Sequence, residues 1–149
     1  MSREEFLEAA RAAATLASSE SGLPAGITVA QAALESAWGR SELSRRAHNY
    51  FGIKAHGKHA AVVMPTAEVL RGTLVKTIAR FARYASMAEC FRDRDALILR
   101  AGAYAEARAC VADAEMFARA LGERWATDPH YADKLLAIYR QHQLEALNT

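Results

Sequence analysis

Ala30-Gln31-Ala32-Ala33-Leu34-Glu35-Ser36-Ala37-Trp38-Gly39 is the stretch around which the chain is organised. Ile27, Ala30, Leu34 and Ala37 recur at helical spacing, so the segment predicts a helix with one buried face, and Gly39 suits the left-handed residue that ends it. Glu35 falls in the last turn, beside Leu34, Ala37 and Trp38. The negative end of a helix and an apolar surround both disfavour an ionised carboxylate. Both therefore raise its pKa, as a general acid working near neutral pH requires. A helical Glu is more often a solvated surface carboxylate, and periodicity does not choose between the two readings.

Outward from this helix, the pattern predicts a mainly α (α+β) protein. Ser2 and Glu5 form a capping box that opens a first helix through about Ser18, and Pro24 is placed to start the helix carrying Glu35. A short turn over Ser41 to Ala47 is followed by the aromatic, glycine-broken run His48-Asn49-Tyr50-Phe51-Gly52-Ile53-Lys54. From Ala60 to Tyr84 the period changes to two, with Arg71-Gly72 as a turn, which reads as one antiparallel hairpin; Pro65 fits only at its edge or in a loop. Ser86 and Glu89 form a second capping box for a helix to about Arg100. Short helical patterns cover Tyr104 to Val111 and Ala114 to Trp125. Asp128-Pro129 opens a last helix with Ala132, Leu135, Leu136 and Tyr139 inward.

With 149 residues and no repeats or linkers, the expectation is one domain over 1–149, large enough to fold without a metal or disulfide staple. Nineteen Lys and Arg against 17 Asp and Glu give a net charge of +2, too small and dispersed to argue for nucleic acid. Cys90 and Cys110 read as small buried hydrophobes, with a disulfide between them left open. His56 and His59 read as solvated loop residues, since two ligands at this spacing do not make a metal site. Neither a metal nor a cofactor is expected. The amino-terminal residues lack a hydrophobic signal core, and no apolar run suits a membrane span, so membrane insertion is not expected.

Two carboxylates stand apart from solvated faces: Glu35, and Glu68 in the otherwise uncharged run Val62 to Leu70. A carboxyl pair is the minimal machinery of glycosidic cleavage. The aromatics Trp38, Tyr50, Phe51, Tyr104, Trp125 and Tyr131 suit either sugar stacking or the core.

Leu23-Pro24, the block from Val29 to Gly39 and Asn49-Tyr50-Phe51-Gly52-Ile53-Lys54 together resemble the signature of bacterial glucosaminidase domains, glycoside hydrolase family 73. Pro65-Thr66-Ala67-Glu68 resembles the family's hairpin motif. Phe81, Tyr84 and Ser86 resemble the junction after it, and Ala126-Thr127-Asp128-Pro129-His130-Tyr131-Ala132-Asp133-Lys134-Leu135 resembles its last signature. The likeness runs from about Leu23 to Ile138; Ala37 and Tyr50 stand where the family commonly has Gly and Leu. It implies a lysozyme-like helical domain with a small β-hairpin lobe. It also implies an endo-β-N-acetylglucosaminidase that cleaves peptidoglycan glycan strands between N-acetylglucosamine and N-acetylmuramic acid. Glu35 is then the general acid, Glu68 the second carboxylate on a mobile hairpin, and Tyr131 a residue facing the cleavage site. Trp38, Asn49 and Phe51 are implied to line the groove. A lytic transglycosylase or muramidase of related fold and a non-catalytic glycan-binding module are the competing readings. The place of action is the cell wall, as a monomer. Delivery through a phage holin, a dedicated secretion system or as a fragment of a larger exported protein stays open.

Overall fold

The computed structural model describes residues 1–148. Ser2 Oγ accepts from the Glu5 N–H (3.0 Å) and Glu5 Oε1 from the Ser2 N–H (3.1 Å), so the expected capping box is formed. The helix it starts, α1 (Arg3–Ser21), runs three residues past the expected end, to Gly22 at φ +76°. α2 (Ala25–Ser36) is the central helix: every residue from Ala25 to Ala33 is buried, enclosed by α1 on one side and the carboxy-terminal elements on the other. Gly26 is the point of closest approach. A Cβ there would lie 2.2 Å from the Leu144 carbonyl oxygen, so the last turn of the chain packs directly on the α2 backbone.

α2 does not end as the sequence predicts. Gly39 is left-handed, but so are Ala37 (φ 51°) and Trp38 (φ 60°) before it. A non-glycine residue in that region costs about 1–2 kcal/mol, of which a glycine's extra unfolded-state entropy returns about 0.4–1 kcal/mol. Ala37→Gly is therefore expected to stabilise the protein by about 0.5 kcal/mol. In a thermal melt of a chain this size that is a rise of about 1–2 °C.

After α3 (Glu42–Ala47), β1 (Ala60–Leu70) and β2 (Thr73–Arg83) form the predicted antiparallel hairpin around Arg71-Gly72, in register from Ala60–Arg83 to Leu70–Thr73. Pro65 lies opposite Ile78, tolerated because β1 is an edge strand. The segment Ile53–Ala55 pairs with β2 on its other side: the Ala82 N–H donates to the Ile53 carbonyl and the Ala55 N–H to the Arg80 carbonyl, both at 2.9 Å. Ala47, Val62, Met64 and Phe81 form a small apolar cluster under the hairpin's base. Residues 69–78 are exposed without exception, so the hairpin's outer half stands clear of the helical body.

The helices α4 (Met87–Arg100), α5 (Ala105–Ala109), α6 (Ala114–Trp125) and α7 (Tyr131–Gln141) complete the core, with 3-10 turns at Gly102–Tyr104 and Leu144–Leu147. Only half of the second expected capping box is made. Ser86 Oγ accepts from the Glu89 N–H (3.1 Å), but the Glu89 carboxylate accepts from Ala85 instead of Ser86. Asp128 likewise caps the His130 N–H (2.8 Å), so α7 begins two residues beyond Pro129. The result is a helical domain carrying one β-hairpin, the class the sequence predicts. No helix among the described residues is long and apolar enough to cross a membrane.

Candidate active site

Glu35 ends α2 half-buried, with its carboxylate directed at the start of α7. The Tyr131 hydroxyl, on the first residue of α7, donates to Glu35 Oε1 at 2.7 Å. Tyr131 reaches this position because α6 has a glycine beneath its ring: a Cβ at Gly122 would stand 3.3 Å from Tyr131 Cδ2. Burial pushes the Glu35 carboxyl above the usual carboxylate range, while the hydrogen bond from Tyr131 and the Trp125 side chain pull the other way. Burial and the neighbouring Glu35 charge push the Tyr131 phenol well up, so it stays a neutral donor. A buried carboxyl that binds its proton more tightly than an exposed one, met by a donor that strengthens once the proton has left, is suited to general-acid chemistry.

Behind this pair lies a polar chain that sequence reasoning missed. The Gln31 amide donates to the Tyr131 hydroxyl (3.2 Å), and Arg94 of α4 donates from Nε to Gln31 Oε1 (2.9 Å). Both Gln31 and Arg94 are wholly buried. A signal was present: Arg94 is three residues from Phe91 and four from Ile98, in phase with the inward stripe of its helix.

Trp125, whose side chain bears on Glu35, also lines a shallow cleft with Gly52, Ile53, Lys54, His56, Leu97 and Tyr104. The Tyr104 and Trp125 rings are 5.8 Å apart at a 35° tilt, and both are half-buried, leaving apolar faces of the kind that sugar rings stack upon. Glu68 sits on the hairpin. The alternation of β1 puts it on the face shared by buried Val62 and Met64, the side turned to the body. Lys54 Nζ donates to Glu68 Oε1 at 2.7 Å.

The other implied groove residues lie elsewhere. Asn49 is buried and every polar atom of its side chain is used. Its oxygen accepts from the N–H groups of Phe51, Gly52 and Ile53 (3.3, 3.0 and 3.1 Å), and its amine donates to the carbonyls of Ile53 and Ala82, each at 2.9 Å. Phe51 is buried against Phe91 (centroids 5.0 Å) and the edge of Trp125 (6.4 Å). These two residues build the wall of the cleft and do not face it. Trp38 turns away from Glu35, packing on Phe6 (6.0 Å) and His142 (5.0 Å) with the Arg3 guanidinium above it. The left-handed turn at residues 37–39 sends it there.

The loop histidines are more engaged than expected. His59 Nε2 lies 2.9 Å from Asp93 Oδ2, which also accepts from the Tyr84 hydroxyl (2.6 Å), tying the hairpin's entry to α4. Cys90 and Cys110 are free thiols; burial pushes Cys90 up to about 12, which leaves it protonated and unsuited as a nucleophile.

Comparison with known proteins bears on the family and the fold. Residues 11–144 match the glucosaminidase family model, described as mannosyl-glycoprotein endo-beta-N-acetylglucosaminidase. The peptidoglycan hydrolase FlgJ of Escherichia coli K12 is 40% identical over 143 residues, covering 91% of this chain and 45% of FlgJ. The exo-glucosaminidase LytG of Bacillus subtilis is 36% identical over 133 residues, covering 80% of this chain and 44% of LytG. The chain thus spans under half the length of these relatives. A truncated glycoside hydrolase domain of Salmonella typhimurium FlgJ superposes with a TM-score of 0.75 at 37% identity, covering 95% of this chain and 98% of that one.

Proposed function

The chain belongs to the glucosaminidase family, glycoside hydrolase family 73, and on that premise we propose that it cleaves peptidoglycan glycan strands at the β-1,4 bond between N-acetylglucosamine and N-acetylmuramic acid. The observation that carries the reading is the Glu35–Tyr131 pair: a carboxyl raised by burial, with a neutral phenol 2.7 Å from it, next to Trp125 of the cleft wall. Protonated Glu35 gives its proton to the glycosidic oxygen as the bond lengthens and oxocarbenium-like charge develops on the sugar. The Tyr131 hydroxyl then stabilises the carboxylate left behind, and Tyr104 and Trp125 hold a sugar ring in the cleft. Glu68 is the second carboxylate. As a base on water it inverts the anomeric centre; as a nucleophile it retains it.

Glu68 reaches the reacting sugar when the hairpin closes on the strand, a motion that excludes water from the cleft. The cell wall is where this chemistry takes place. The substrate is the glycan itself.

Product analysis tests the reading. Digestion of purified peptidoglycan followed by mass spectrometry is expected to yield fragments with reducing N-acetylglucosamine ends. Anhydromuramyl ends mean a lytic transglycosylase and reducing muramic acid ends a muramidase; either result overturns the assigned bond. Pelleting with cell walls but no release of reducing ends means a glycan-binding module.

A further inference from the structure

Arg94 carries a full charge at 0% exposure, which proteins bear only when the surroundings supply partners. Its Nη1 donates to Thr28 Oγ1 and to Asp95 Oδ1, both at 2.8 Å. The other Asp95 oxygen accepts from Ser21 at the end of α1 (2.7 Å). Nη2 has no partner among the described residues, and Cζ lies 5.5 Å from the Phe51 ring centroid. Arg94 is thus pinned to α1, α2 and its own helix, and Nε remains for Gln31.

The chemistry of that last contact has a direction. A guanidinium has five donors, no acceptor, and does not give up its proton in proteins. Whichever end of the Gln31 carboxamide faces Nε must therefore be the oxygen, and the 2.9 Å contact is of that kind. The amine is then left for Tyr131 at 3.2 Å, so the phenol oxygen accepts there. Its hydrogen has Glu35 Oε1, at 2.7 Å, to donate to. Turned over, the carboxamide would offer Tyr131 a second acceptor, one that competes with Glu35 for the phenol hydrogen.

We propose that Arg94 is a positioning residue: by fixing the Gln31 carboxamide, it makes the Tyr131 hydroxyl donate to Glu35. The groups bearing on Glu35 itself are Tyr131 from α7 and the Trp125 side chain at the end of α6, with burial opposing both. Gln31 of α2 and Arg94 of α4 bear on Tyr131. The kinetic consequence rests on Glu35 being the general acid; the direction of the hydrogen bonds does not.

The test is a double-mutant cycle on the full chain, read by carbon NMR titration of the Glu35 carboxyl, with Glu35→Gln identifying the resonance. Arg94→Met with Asp95→Asn removes the ion pair together, so that no buried carboxylate is stranded. Freed, the Gln31 carboxamide competes for the phenol hydrogen, and the Glu35 pKa is expected to rise by about one pH unit, the scale of a lost charge-assisted hydrogen bond. The alkaline limb of the hydrolysis profile should move up with it, because the acid then stays protonated to higher pH.

In a Gln31→Met background the same double change should move Glu35 little, since Arg94 has lost its intermediary. An equal rise in both backgrounds means that Arg94 acts by charge alone and overturns the proposal, as does no rise in either. Arg94→Lys, which keeps the charge but loses the planar Nε donor to Gln31, reads the same coupling if the first variant does not fold. It should raise the Glu35 pKa, and an unchanged value overturns the proposal. The titration is seen whether or not the protein turns over. Inactive wild-type protein with a shifted Glu35 therefore supports the positioning role and sinks the hydrolase reading.

Discussion

Glu35→Gln is expected to cut the release of reducing ends from purified cell walls by about 10²–10⁴-fold, the contribution of a positioned general acid, while raising the melting temperature at neutral pH. The substitution conserves shape, and the Gln carbonyl still accepts from Tyr131, so the loss is of the transferable proton and not of the fold. The stability gain follows from linkage. Burial raises the Glu35 pKa in the folded state, so between the ordinary carboxylate value and the raised one the folded chain binds more protons than the unfolded chain. Stability accordingly falls as pH rises through that window, and the full deficit is present above it. Gln carries no such penalty. Calorimetric melts of the two proteins should converge near pH 4 and separate at pH 7, with the variant higher. Undiminished activity removes Glu35 from the mechanism; a variant that melts lower at pH 7 removes the burial argument.

Much of the scaffold was legible because the interactions that define it are short-range. The Ser2–Glu5 cap and the Arg71-Gly72 turn close within a few residues, and the turn joins two strands that are consecutive in the chain. Glu35 is singled out by its place in the last turn of an apolar helix, but the side chains that bear on its carboxyl, Tyr131 and Trp125, are far away in sequence. The failures share that separation. An amide and an aromatic ring in a glycine-broken loop suit a sugar groove as well as a structural plug. What assigns Asn49 and Phe51 to the plug is the carbonyl of Ala82 and the ring of Phe91, 33 and 40 residues further on. Trp38 could not be placed because one left-handed glycine was expected where three left-handed residues turn the chain. Arg94 is the instructive case. Its helical phase pointed inward, but an inward arginine is discounted until Thr28, Gln31 and Asp95 are seen around it. The Ser21 contact that holds Asp95 spans 74 residues.

Glu68→Gln is expected to lower kcat by about 10²-fold or more with little change in KM, the pattern of a group that acts only in the transition state. Its place supports that role. Glu68 shares a strand face with Val62 and Met64, which pack on the body, and it lies two pleats past Met64, about 13 Å further out along the strand. The exposed run 69–78 is held by its own ladder, so closing the hairpin costs no buried core. What must yield is the Lys54–Glu68 pair. Both side chains are well exposed, at 62% and 38%, and a surface pair of this kind contributes about 0–1 kcal/mol, little against the contacts a glycan strand supplies. Lys54 thus parks the carboxylate without committing it. A loss confined to a few-fold would transfer the second role to the acetamido oxygen of the substrate, and a glycan lacking that acetamido group would then be a poor substrate for the wild-type protein. If Glu68 is the base or the nucleophile, the same glycan is cleaved by the wild type and spared by Glu68→Gln, so the two measurements together assign the partner of Glu35.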